Sequence, residues 1–317
     1  RHFCLSRGLG DVYKRQKLYP ALEKLVQTIE KKANSIKGTI KTGRTHLMDA
    51  MPIDFSEELT AWSSQLSTSK ETLLTLEKKL LELPQGGTAV GSGINAHKKF
   101  SKFFSEEISK LFKGRYKFVP SKNFYHELSA QDSSVQLSGE LKNLAVVLMK
   151  ISNDLRWMNS GPLTGLSEIE LQALQPGSSI MPGKVNPVIP EAVAMASADV
   201  IGNDVTITVA AQSGSFQLNV MLPVIAYNLL KSINLLSGAM NALSKKAIRT
   251  FKVNHKNLED SLLKNPILVT ALNPSIGYAE AAMIAKKALK NGTKLKEEAI
   301  KSGLIDEKEF DKIIDPT

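Results

Sequence analysis

The chain has 317 residues, 42% hydrophobic and 23% charged, with a formal net charge of +10. That balance excludes a disordered or fibrous polymer, and the length suggests about two domains. No run of about 18 uncharged apolar residues occurs, so no membrane span is predicted, and no signal peptide is visible.

The positive charge raises the question of a nucleic-acid partner. The lysines are spread along the chain, and aromatics make up only 6%. A Lys-rich solvated surface around an acidic substrate accounts for this better, and no nucleic-acid partner is predicted. The single Cys, Cys4, allows no disulfide within the chain, which fits a reducing compartment and a cytoplasmic location. The five histidines (His2, His46, His97, His126, His255) contain no pair at metal-ligand spacing. No structural metal is predicted, and no cofactor.

Residues 1–16 carry two glycines and the only Cys and show no helical stripe; they are expected to be a non-native leader. The chain starts with Arg rather than Met, so it is expected to be a fragment or a processed product. From Leu18 to Ile36 the apolar residues recur at helical spacing, predicting a helix over 17–37 that Gly38 ends. Next comes Lys41-Thr-Gly-Arg-Thr-His-Leu-Met-Asp-Ala-Met-Pro52, read as an irregular stretch with reactive groups. A long helix is predicted over 53–83. Pro84-Gln-Gly-Gly-Thr-Ala-Val-Gly-Ser-Gly93 breaks it. This run lacks the Lys-Ser/Thr ending of a P-loop, so it is read as a tight backbone passage. His97 is read as a surface residue. A short helix over 100–112 and a loop precede a long helix predicted over 127–160.

Residues 160–191 form a long interruption, unusual inside a helical domain. Its centre reads Gly-Ser-Ser-Ile-Met-Pro-Gly-Lys-Val-Asn-Pro, residues 177–187. Three breakers, Pro182, Gly183 and Pro187, exclude helix. Two hydroxyls (Ser178, Ser179), one amine (Lys184) and one amide (Asn186) suit a carboxylate whose negative charge grows during reaction. An ordinary connector is the bland alternative. The helix predicted over 191–212 is apolar nearly all round, as a buried bundle helix is; Asp199, Asn203 and Asp204 argue for a bundle core over a membrane span. Another long apolar helix over 216–244 should kink or restart at Pro223. Short helices over 257–263, 278–291, 294–302 and 306–314 complete the chain. The expected organisation is all-α: a long-helix bundle over 17–252 and a small helical C-terminal domain over 253–317.

The motif Gly-Ser-Ser-x-Met-Pro-x-Lys-x-Asn-Pro resembles the signature of the fumarase/aspartase superfamily, whose members add or remove water or an amine across a double bond beside a carboxylate. Gly43-Arg-Thr-His-Leu-x-Asp-Ala-x-Pro52, Gln85-Gly-Gly-Thr-Ala-Val-Gly91, Asn153-Asp-Leu-Arg-Trp-Met158 and Val269-Thr-Ala-Leu-Asn-Pro274 resemble class II fumarase blocks, in the family's order. Aspartases resemble the second block but carry Gln at the place of His46, and tend to Ala at the place of Gly183. The resemblance implies reversible hydration of fumarate to (S)-malate, a step of the citric acid cycle. The alternatives are an aspartate ammonia-lyase or other superfamily lyase, or an inactive helical scaffold.

It implies Ser178 as the base, acting as an alkoxide stabilised by loop N–H groups and Lys184. His46 is implied as the acid/base at the hydroxyl through a water, with Glu191 orienting it. Lys184, Asn186, Thr45, Ser179 and Val185 are implied to hold the substrate carboxylates. It further implies a homotetramer whose sites draw residues from three subunits. The segment Ile53-Asp-Phe-Ser-Glu-Glu58 departs from the family's usual Gly-Gln-Glu-Phe type. The family's N-terminal domain and its Ser-Gly-Thr and Ser-Ser-x-Met-Asn segments are not found, so this chain alone is expected to be weakly active or inactive.

Overall fold

A computed structural model describes residues 12–175, 181 and 183–313. In chain order it has α1 (Tyr19–Ser35), β1 (Ile40–Thr45), β2 (Met48–Asp54), α2 (Phe55–Thr75), α3 (Glu77–Leu80), β3 (Glu82–Leu83), α4 (Phe100–Leu111) and β4 (Val119–Pro120). Then follow α5 (Phe124–Ser129), α6 (Asp132–Met158), β5 (Ile169–Glu170), α7 (Val188–Gln212), α8 (Leu222–Leu243) and β6 (Lys252–Val253). The chain closes with α9 (His255–Lys264), a 3-10 stretch Pro266–Leu272, α10 (Asn273–Ile276), α11 (Tyr278–Asn291), α12 (Leu295–Lys301) and α13 (Glu307–Ile313). The protein is predominantly helical, and the described residues form three sheets of two strands each.

The chain divides into two compact units. One comprises residues 1–28, 62–156 and 172–250; the other comprises 29–61, 157–171 and 251–317. The first is the long-helix bundle. Leu137, Leu141, Leu144, Leu148 and Ile151 on α6, Val193, Val200 and Ile207 on α7, and Ile225, Leu229, Ile233 and Leu236 on α8 are all buried. Their spacing of three, four or seven residues puts one face of each helix in the core.

By length and composition α7 could cross a membrane, and a third of its most apolar window is buried. Asp199, Asn203 and Asp204 have partners on neighbouring helices, which is how a bundle accommodates them. Asp204 accepts from Ser138 Oγ at 2.7 Å and Lys142 Nζ at 2.6 Å. Asn203 donates to Ser232 Oγ, and Lys231 pairs with Asp199 at 2.8 Å.

Several predicted boundaries move for local reasons. The helix expected over 127–160 is two helices, because Ala130 is extended between α5 and α6. Asn123 caps α5, accepting from the His126 N–H. The helix expected over 216–244 starts at Leu222, with Pro223 in its first turn, where its missing N–H costs nothing. The helix expected over 53–83 begins after β2 and ends at Thr75. Within the stretch set aside as a leader, Val12 and Tyr13 are helical, residues 14–18 form a π-helical turn, and Val12 is buried.

In the second unit, Leu262, Leu272, Ala281, Ile284, Leu295, Ala299 and Phe310 form one core, with Ile40 of β1 packed against it. Phe55 stacks on Phe251 at 6.3 Å between ring centroids. Lys32 donates to the Phe251 carbonyl and lies over its ring, and burial holds its ammonium below the usual lysine range.

Candidate active site

Residues 41–52, expected to be irregular, form a β-hairpin. Thr45 pairs with Met48, leaving His46 and Leu47 as a two-residue turn. Both have positive φ, 55° and 62°, as a type I′ turn requires. Such turns favour Asn-Gly. A His and a branched Leu there carry backbone strain, and strain of this kind concentrates at functional sites. The tip is exposed: Thr45 and His46 face solvent, beside Leu47 and Met48 at 65% and 70% exposure. Among the described residues His46 makes no hydrogen bond, so both ring nitrogens are open to a ligand or water.

No apolar alternation marks β1, which reads Ile-Lys-Thr-Gly-Arg-Thr. Polar anchors hold the hairpin. Asn265 Nδ2 donates to the Thr42 hydroxyl of β1 at 3.4 Å and to the Ala50 carbonyl of β2 at 2.9 Å, and the Phe55 N–H donates to the Thr39 carbonyl. Lys41, 3% exposed, reaches Glu58 at 2.9 Å and Glu168 at 2.5 Å. Arg44 pairs with the other oxygen of Glu168. Burying these charges is tolerable only because each meets a partner; removing one partner of such a set costs about 3–5 kcal/mol. Glu168 and Glu58 have no role in the sequence reading. The available signal was two cations flanking a glycine in a stretch with no apolar face.

The other implied residues belong to the first unit. Ser178 and Ser179, with Gly177 and Pro182, lie outside the described residues. Beyond them, Gly183 has φ of 82°, and the Lys184 N–H donates to the Met181 carbonyl at 3.3 Å. Lys184 and Val185 are exposed and Asn186 half-buried, on an irregular run that ends at Pro187. Lys184 has no ion pair among the described residues, which leaves its ammonium available for an anion. Glu191 lies in the first turn of α7, its N–H bonded to the Pro187 carbonyl. There its carboxylate also complements the helix dipole. The structure thus groups Thr45 with His46, and Lys184, Val185 and Asn186 with Glu191. The Gly-rich run is a tight passage, as expected: a Cβ on Gly91 would come within 2.7 Å of the Tyr125 backbone. His97 is exposed.

Residues 12–202 match the Lyase family, and residues 268–317 match the Fumarase C C-terminus family. Fold and match together define a helical-bundle lyase. A class II fumarase from Schistosoma mansoni has the same fold, with a TM-score of 0.93 at 34% identity over 99% of this chain and 68% of that one. The chain belongs to the class II fumarase family. It is 54% identical to fumarate hydratase class II 2 of Pseudomonas aeruginosa over 95% of its length, and 46% identical to fumarate hydratase class II of Bacillus subtilis, again over 95%. It spans 65% of the length of each of these two relatives.

Proposed function

We propose that the protein containing this chain interconverts fumarate and (S)-malate as a fumarate hydratase of the citric acid cycle. The observation that carries the reading is 54% identity, along nearly the whole chain, to a class II fumarate hydratase. The reactive groups the chemistry needs are present in the sequence.

In the dehydration direction, Ser178 as an alkoxide takes the proton from the carbon beside one carboxylate. The resulting carbanion is held as a dianionic aci-carboxylate by preorganised donors. The hydroxyl then leaves from the neighbouring carbon, receiving a proton from His46 through a water, and the double bond of fumarate forms. Glu191 orients and charges His46. Lys184 and Asn186 bind one carboxylate, with Thr45, Ser179 and the Val185 backbone completing the cradle. The protein works in the cytoplasm as a homotetramer with composite sites. Exposed apolar side chains on α7 and α8 support assembly, with Met195, Val205 and Tyr227 at 71%, 60% and 66% exposure.

The test is fumarate absorbance with malate as substrate. It uses this chain and a version joined to the part of the Pseudomonas relative that the chain does not span. The joined protein should form fumarate, and Ser178→Ala and His46→Asn should each lower kcat by about 100-fold or more. Release of fumarate from aspartate but not from malate would refute the hydratase reading.

A further inference from the structure

We propose that Glu168 is the positioning residue for His46: it clamps the strand that ends in the His46 turn, and so aims the imidazole at its substrate. This rests on His46 acting on substrate, as proposed above.

The argument begins with strand geometry. Lys41 and Arg44 are three residues apart. In a regular strand an odd separation sends two side chains to opposite faces. Here the pairing shifts register between Thr42 and Arg44. The extra residue lies on β2, where Ala50 and Met51 oppose Gly43 alone, and a Cβ on Gly43 would lie 2.7 Å from the Met51 carbonyl oxygen. A bulge strengthens the local twist of the strand pair. Across this irregularity Lys41 and Arg44 meet the same carboxylate, each bonding one oxygen of Glu168. Arg44 is two residues before His46, on the strand leading straight into the turn.

Glu168 is itself fixed. Its side chain is 3% exposed. Its N–H donates to the Met158 carbonyl at 2.8 Å, and its carbonyl accepts from the Asn254 N–H at 2.9 Å. Asn254 Nδ2 also holds the Ser167 carbonyl, and Ile169 and Glu170 pair with Val253 and Lys252. The clamp is therefore rigid at its base. The hairpin it grips is an isolated two-stranded sheet with a largely exposed second strand, a structure that is marginal without outside support. A carboxylate with two cationic partners on one strand sets the direction of that strand, and the turn at its end follows. Catalytic geometry is sensitive to displacements of about 1 Å, which can cost about 100-fold in rate.

The test is a double-mutant cycle in the joined protein described above, with malate as substrate. Glu168→Gln keeps the shape and removes the charge. It should lower kcat by about 10- to 100-fold with KM changed less than about 3-fold. In a His46→Asn background the same change should have little further effect on kcat, because its route to the chemistry is already gone. A purely structural role would give additive losses. Should Glu168→Gln fail to fold, Arg44→Gln is decisive instead: Arg44 is partly exposed, and its loss leaves the Lys41–Glu168 pair intact. It should show the same fall in kcat and the same non-additivity. If His46→Asn lowers activity while folded Glu168→Gln and Arg44→Gln leave kcat unchanged, or if the losses add, the positioning role is refuted and the hydratase reading stands. If His46→Asn itself has no effect, both fall.

Discussion

Asp204→Ala should destabilise the bundle by about 2–3 kcal/mol. The carboxylate is buried, with a side chain 8% exposed, and receives one bond from Ser138 and one from Lys142. Hydrogen bonds to a charged group contribute about 1.5–3 kcal/mol each. The two losses are unequal. Lys142 keeps 45% of its side chain in water, so its ammonium rehydrates, and a pair of that exposure is worth about 1 kcal/mol or less. Ser138 is 3% exposed and cannot rehydrate; an orphaned buried hydroxyl costs about 1–3 kcal/mol. The cavity left on α7 adds to the loss, while relief of carboxylate desolvation offsets part of it. Thermal and urea unfolding at fixed protein concentration are the assays, since assembly shifts the midpoint. At about 2–4 °C per kcal/mol, the melting temperature should fall by about 4–12 °C. Ser138→Ala in the Asp204→Ala background should recover about 1 kcal/mol, because it removes the orphan. A change within about 0.5 kcal/mol for Asp204→Ala, the range of an ordinary surface substitution, would refute the account of α7 as a bundle helix whose acid is satisfied by its neighbours.

Three further outcomes are expected. Burial alone would raise the Asp54 carboxyl, but hydrogen bonds from the Gly38 and Ser56 N–H groups and the nearby Lys37 outweigh it and hold the group below the usual carboxylate range. Its contribution is therefore present above the unfolded carboxyl value and lost as pH falls through the folded one, below about pH 4; Asp54→Ala should cost about 1 kcal/mol at neutral pH, as a lost helix cap does, and the gap to the unmodified protein in urea titrations should narrow toward pH 3. Gly91→Ala should destabilise by about 2 kcal/mol or more, measured by thermal melting, since φ there is 105° and the new Cβ meets the Tyr125 backbone at 2.7 Å; an unchanged melting temperature would mean the Gly-rich passage is not tight. Leu47→Gly should stabilise the hairpin by about 0.5–1 kcal/mol by relieving a positive φ at an exposed side chain, seen as slower amide exchange along residues 40–54; faster exchange would show that Leu47 packs against something.

Much of the helical architecture was legible in the sequence because amphipathic periodicity is a local signal. The helix expected over 278–291 is α11, residue for residue. The apolar stripes over 17–37 and 191–212 correspond to α1 and α7 within three residues at each end. Errors fell where local and tertiary preferences compete. The hairpin was hidden because polar anchors hold β1, and its turn is His-Leu where a type I′ signal would be Asn-Gly. The break at Ala130 was hidden because Leu128 and Val135 continue one apolar pattern across it.

The same division runs through the site. Residue chemistry alone nominated Lys184 and Asn186, because a carboxylate that gains charge needs cations and donors; His46 and Glu191 were nominated by the resemblance of their motifs to the family. The sequence by itself also set the family, the long apolar helices and the interruption between α6 and α7. Only the tertiary structure decided that His46 sits on a strained two-residue turn. It alone brought Glu168, more than a hundred residues away in sequence, to the base of that hairpin. A buried carboxylate shared by two cations is a long-range arrangement. No spacing rule reveals it, because the β2 bulge opposite Gly43, between Lys41 and Arg44, exists only once the two strands have paired.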